Sequence, residues 1–174
     1  LAQAATLPAA YTTEYYALIT RGRLKRGERV LIHAAAGGVG LAAVNIAQWR
    51  GAEIYATAGT PQKRDFLCGL GIRHVFDSRS LDFAAQVLDV TQGRGVDVVL
   101  NSLGGEFIPV GLSTLARYGR FLELGKRDML GNAALRLEPF IKHLAFIAID
   151  VGVDLPEFPT VWGQVVRQIR RQAF

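Results

Sequence analysis

The chain has 174 residues, 50% of them hydrophobic and 20% charged, which is enough to bury one sizeable core. Its net charge of +5 suits an anionic ligand or an acidic partner. No dense Lys/Arg stripe with interleaved aromatics marks a nucleic-acid surface, and no apolar run approaches the roughly 18 residues a membrane helix needs.

The single Cys68 excludes an internal disulfide, and His33, His74 and His143 show no ligand spacing, so no metal site is expected. The N-terminal stretch lacks a basic n-region, so a soluble, reducing, cytoplasmic setting is expected.

In chain order, residues 4–19 begin abruptly inside a helix-like pattern, and residues 165–174 stop equally abruptly. A segment cut from a longer polypeptide is therefore expected. Residues 30–33 follow as an apolar strand, then the small residues of the 34–36 run, then Gly37, Gly38 and Gly40. Residues 39–49 are amphipathic and predict a helix.

A strand, a tight glycine turn and a helix N-terminus make an anion site, because unpaired N–H groups and the positive end of the helix dipole face the turn. Ala36, Gly37, Gly38, Val39 and Gly40 are thus the expected contacts of a dinucleotide pyrophosphate. The spacing Ala34-x-x-Gly37-x-Val39-Gly40 departs from the common G-x-G-x-x-G fingerprint by placing alanine first.

Strand and helix signals then alternate. Strands are predicted over 53–57, 74–76, 96–100, 119–124 and 144–149, and helices over 61–70, 81–90, 106–115 and 158–171. This βαβ alternation specifies an α/β, Rossmann-type, doubly wound parallel sheet with helices on both faces. Ligands on such a sheet sit at the C-terminal ends of the strands. Cys68 falls in the helical 61–70 pattern and is expected to be a small buried hydrophobe. Arg167, Arg170 and Arg171 read as the solvated face of the last helix.

An NAD-binding fold usually places an acid at the end of its second strand to hold the ribose 2′-hydroxyl. Here that strand ends at Thr57-Ala58-Gly59 without one; Thr57 is counted among the cofactor contacts. Lys63 and Arg64 follow, and Ser78 and Arg79 follow the third strand. Cations and hydroxyls suit a 2′-phosphate, so NADPH is expected over NADH.

Asn101 and Ser102 end the 96–100 strand, and Gly125 and Lys126 end the 119–124 strand, where they would border the nicotinamide. By themselves, Asn101 reads equally well as a turn former and Lys126 as a solvated loop lysine.

Four stretches in order, residues 7–18, 27–40, 93–103 and 119–126, resemble the enoyl reductase domain of modular polyketide synthases. That family is related to the enoyl reductase of animal fatty acid synthase and to the zinc-free medium-chain dehydrogenases/reductases. The resemblance implies that residues 1–174 are the NADPH-binding domain, with a GroES-like substrate domain elsewhere that also carries the tyrosine implicated in protonating the product.

The implied reaction is reduction of a 2,3-enoyl thioester on an acyl carrier protein, in polyketide or fatty acid synthesis, with other domains of the parent synthase as partners. Homodimerisation is admitted but not legible in these residues. Lys126 and Asp150 match the family's candidate catalytic lysine and aspartate. Gly59 stands where relatives often carry serine, which removes one hydroxyl from the 2′-phosphate site. The alternatives are a zinc-free NADPH quinone oxidoreductase domain and a nucleotide-binding module without turnover.

Overall fold

The computed structural model describes residues 2–152, 154–171 and 173. Helix α1 (Ala2–Tyr15) continues as a π-helical turn over Tyr16–Arg21. Six strands follow: β1 (Arg29–Ile32), β2 (Glu53–Ala58), β3 (His74–Asp77), β4 (Val96–Asn101), β5 (Leu115–Glu123) and β6 (Ala145–Ala148). Between and after them lie α2 (Gly38–Arg50), α3 (Pro61–Gly69), α4 (Phe83–Val90), α5 (Phe107–Ser113), the short α6 (Arg127–Leu130) and α7 (Phe158–Arg170).

The strands form one sheet in the order β3-β2-β1-β4-β5-β6, and every pairing is parallel. Parallel strands need crossovers, and the crossover helices bury both faces of the sheet. The alternation along β1 shows this directly. Val30 and Ile32 join a core containing Leu67 of α3, Val44 of α2 and Val161 and Val165 of α7, whereas Leu31 joins Phe83 and Val87 of α4 and Leu112 of α5.

Helix starts and stops follow local chemistry. Thr60 caps α3, its hydroxyl accepting the Lys63 N–H at 3.3 Å, with Pro61 in the first turn. Gly51 ends α2 in the left-handed conformation, φ 73°.

Two expectations are corrected. Cys68 is exposed, because Leu67 is the α3 residue that faces the core. Strand β5 begins at Leu115 rather than 119: Leu115 pairs with Val96 ahead of a register shift, and Tyr118 in that irregular stretch takes φ 65°.

The strand order turns outward in opposite directions from β1 and β4. Their carboxyl ends therefore leave a crevice between the two diverging crossovers, which is where ligands sit on this architecture.

Candidate functional site

The β1–α2 turn floors the crevice. His33 N–H donates to the Leu100 carbonyl at 3.0 Å, so the turn leaves the sheet beside β4. The Ala35 N–H reaches the Thr57 carbonyl at 2.9 Å, and the Ala34 N–H reaches the Thr57 hydroxyl at 3.2 Å. Ala34 takes φ 50°, a left-handed turn that glycine would adopt without strain.

The glycines do different work. A Cβ on Gly40 would lie 2.6 Å from the Ala34 carbonyl oxygen and 2.6 Å from Ala35 Cα, so Gly40 lets the turn pass under the helix. A Cβ on Gly38 would meet nothing within 4 Å and would project into open space. Gly37, the N-cap of α2, offers no side-chain cap, so the first-turn N–H groups are left to water or to a ligand. An open, uncapped turn at a 13-residue helix is a cradle that fits a pyrophosphate.

A groove of about 520 Å³ extends from this turn across the strand ends. Its walls include His33, Ala34, Gly37, Gly38, Val39 and Gly40 at one end, then Leu100 and Ser102 after β4, and Leu124, Lys126 and Asp150 at the far end. Lys126 Nζ lies 2.6 Å from Asp150 Oδ1, with both side chains more than half exposed.

A smaller recess of about 220 Å³ opens on the other side of the turn, between Ala34, Ala36, Gly37, Ala58, Gly59, Lys63 and Ser78. Arg79 lies beside it, its Nε 3.3 Å from the place a Gly59 Cβ would occupy. Among the described residues neither Lys63 nor Arg79 enters an ion pair.

Three residues expected at the site are used otherwise. Arg64 binds Asp77 at 3.1 Å and the Ala58 carbonyl at 3.1 Å, so its charge is committed to joining β2 to β3. Thr57 is fully buried, its hydroxyl shared between Ala34 N–H and His33 Nδ1. Asn101 is fully buried too, donating to the Leu103 carbonyl and to Glu123 Oε2, each at 2.6 Å. Thr57 and Asn101 therefore shape the turns that form the groove without facing it.

Three buried groups went unread in the sequence. Glu123 accepts hydrogen bonds from Asn101 and from the Gly125 N–H, and a Cβ on Gly125 would lie 2.7 Å from its Oε1. Burial pushes its carboxyl up to about 7, with Asp128 adding to the rise, against the lowering by those two bonds. His33, packed edge-on against Phe83 and Phe107, is driven down to about 3 by burial and is neutral. Glu14, on α1, is buried, and neither of its oxygens has a hydrogen-bond partner among the described residues. For the two acids the available signal was an apolar flank, Phe121, Leu122 and Leu124 around Glu123 and Tyr15 to Ile19 after Glu14.

The sequence matches the zinc-binding dehydrogenase family over residues 38–167. It is 50% identical over 167 residues to a component of the phenolphthiocerol/phthiocerol polyketide synthase of Mycobacterium tuberculosis, an alignment covering 96% of the chain and 8% of that protein. The nucleotide-binding subdomain of the enoylreductase domain of PpsC from Mycobacterium tuberculosis superposes with a TM-score of 0.91 at 45% identity, covering 96% of each chain. The CurK enoyl reductase superposes at 0.84 and 46% identity, covering 97% of this chain and 50% of that one.

Despite the family's name, no group of three His, Cys, Asp or Glu among the described residues could hold a metal ion. The residues here do not compose a zinc site. The all-parallel sheet, the glycine turn at its switch point and these similarities converge: the chain belongs to the zinc-binding dehydrogenase family, as a nucleotide-binding subdomain of the polyketide-synthase enoyl reductase type.

Proposed function

We propose that this chain is the NADPH-binding part of an enoyl reductase that reduces 2,3-enoyl thioesters held on an acyl carrier protein, within a multidomain synthase in the cytoplasm. The observation that carries the reading is the Lys126–Asp150 pair, set across the same groove that begins at the glycine turn. The turn would hold the pyrophosphate on the N–H groups of Gly38, Val39 and Gly40, while Ser102, Gly125 and Lys126 would border the nicotinamide. Hydride for the β-carbon of the enoyl group is the chemistry that a reduced nicotinamide held by these residues would supply.

Negative charge then develops on the thioester oxygen and the α-carbon. Lys126, held by Asp150, presents an ammonium to that charge and has a proton to give. The carboxylate fixes the ammonium in one position, so less reorganisation is needed as the charge appears. The recess lined by Lys63 and Ser78, with Arg79 beside it, supports a 2′-phosphate and hence NADPH.

The test is turnover of a crotonyl thioester by the parent enzyme, followed by NADPH absorbance, with the Lys126→Ala variant beside it. Full activity in that variant refutes the assignment of the chemistry to this pair. Failure of NADPH to bind the chain at all refutes the cofactor reading itself.

A further inference from the structure

We infer that Glu14 is a further determinant of dinucleotide binding: in its neutral form it is a spare hydrogen-bond donor in the groove wall, and as a carboxylate it opposes an anionic ligand. The inference rests on the cofactor reading above and adds a residue that the glycine-turn pattern does not contain.

Glu14 and its neighbour Thr13 line the 520 Å³ groove together with the turn residues Gly37–Gly40. Glu14 is fully buried, and neither of its oxygens has a hydrogen-bond partner among the described residues. Buried polar groups in folded proteins are nearly always paired, so an orphaned carboxyl beneath a ligand groove asks what pairs with it.

Among the described residues, the elements packed on α1 do not supply a partner. Arg50 at the end of α2 and Arg167 on α7 act on Tyr15, the next residue. Arg21, in the π-helical turn, donates to the Tyr16 hydroxyl. At the groove, His33 is neutral, and Lys126 and Asp150 are spent on each other. Burial is thus the only influence on Glu14, and it pushes the carboxyl up to about 8.

At neutral pH the groove wall is therefore uncharged at this point, which suits a ligand bearing phosphates. Above that range a buried carboxylate shares the groove wall with the phosphate cradle, and Lys126, the cation lining that groove among the described residues, is paired with Asp150. Because the neutral form binds better, ligand binding must raise the carboxyl further and draw in a proton from solution.

The experiment measures NADPH and NADH affinity for the chain by fluorescence from about pH 6.5 to about 9.5, for the parent and for Glu14→Gln. The parent is expected to weaken roughly tenfold for both nucleotides across that range, while Glu14→Gln stays within about twofold and outbinds the parent at the alkaline end. NADH lacks the 2′-phosphate, whose own titration near about pH 6 lies below this window, so a common profile belongs to the protein.

Calorimetry of the parent in buffers of different ionisation enthalpy needs no variant and should show uptake of about half a proton at about pH 8. The same pH profile in Glu14→Gln as in the parent, or no proton uptake, overturns the inference while leaving the cofactor reading intact. No binding of either nucleotide at any pH overturns the cofactor reading, and this inference with it.

Discussion

Lys126 Nζ and Asp150 Oδ1 stand 2.6 Å apart although the two residues end different strand segments, one past β5 and one past β6. The parallel pairing of Glu123 with Ala148 brings them together, and the Ile149 N–H donating to the Glu123 carbonyl at 2.8 Å extends that pairing toward Asp150. Both side chains are more than half exposed, so the ion pair contributes little to stability. Its consequence is the fixed position of an ammonium at the groove mouth.

In the parent enzyme, Lys126→Ala is therefore expected to lower kcat by roughly 10²–10⁴-fold while changing NADPH affinity little, since a group acting on developing charge contributes mainly in the transition state. Asp150→Asn should cost less, because an amide oxygen still accepts from the ammonium. Steady-state kinetics with a crotonyl thioester check both; near-normal kcat in the double variant would make the pair structural.

Cofactor selectivity separates residues that the sequence groups together. The parent chain should bind NADPH at least about tenfold more tightly than NADH, about 1.4 kcal/mol. Lys63→Ala and Arg79→Ala should shrink that ratio and leave NADH affinity nearly unchanged, because these cations flank the recess and have no ion-pair partner among the described residues. Arg64→Ala should leave the ratio largely in place and lower thermal stability, since its guanidinium is bound to Asp77 and Ala58. Equal affinities for the two nucleotides in the unmutated chain would defeat the 2′-phosphate reading.

The difference between Arg64 and Lys63 shows what was legible in the sequence. The β1–α2 turn could be read because strand, small residues and helix follow one another directly, so local pattern and tertiary role coincide. The parallel sheet was legible for the same reason, each crossover being a local strand–helix–strand unit. Arg64 was not, because its partner Asp77 arrives only through the pairing of Ala58 with Asp77 between β2 and β3.

Asn101 and Thr57 carry polar side chains at strand ends, the usual place for ligand contacts, yet both are turned inward to close loops. Lys126 and Asp150 were legible only through the family resemblance, since nothing in their spacing announces a 2.6 Å contact. Glu14 lies within one of the stretches that carry that resemblance, but its burial is a property of how α1 packs on α2 and α7.

The two glycines that bracket the first turn of α2 predict opposite outcomes. Gly40→Ala places a Cβ 2.6 Å from the Ala34 carbonyl oxygen and from Ala35 Cα, backbone atoms that cannot rotate away. A loss of about 1–3 kcal/mol is expected from such overpacking. Gly38→Ala meets nothing within 4 Å and adds helix propensity, so the fold should be retained or gain up to about 1 kcal/mol. Its methyl would occupy the space a pyrophosphate needs, so NADPH affinity should fall at least about tenfold. Thermal melts and binding isotherms on both variants check this. A Gly38→Ala chain that binds NADPH normally would move the pyrophosphate away from this turn.

Burial gives Glu14 and His33 opposite effects on stability against pH, while Glu123, also raised by burial, acts alike in the parent and in Glu14→Gln. Glu14 is held up at about 8 from an ordinary 4.5, so between those values the folded chain keeps a proton that the unfolded chain releases. Its contribution is fully present below about pH 4.5, falls as pH rises through that interval and is exhausted above about 8.

His33 is held down at about 3 from 6.5, so the unfolded chain takes up a proton that the folded chain refuses. Its contribution is full above about pH 6.5 and falls as pH drops toward about 3. Glu14→Gln removes the first effect alone. Its stability relative to the parent should therefore climb from about pH 5 to about pH 8 and level off beyond, reaching on the order of a few kcal/mol, since each unit of displacement corresponds to about 1.4 kcal/mol.

Between about pH 4.5 and 6.5 the proton that the unfolded state gains at His33 is offset in the parent by the one the folded state keeps at Glu14, so acidification through that interval should destabilise Glu14→Gln relative to the parent; below about pH 4.5 both chains should lose stability in parallel through His33. Urea unfolding of both chains across pH tests the signs separately. A stability difference that stays constant from about pH 5 to about pH 8 would mean that Glu14 is not held neutral by burial, and that its two oxygens have found partners in solution.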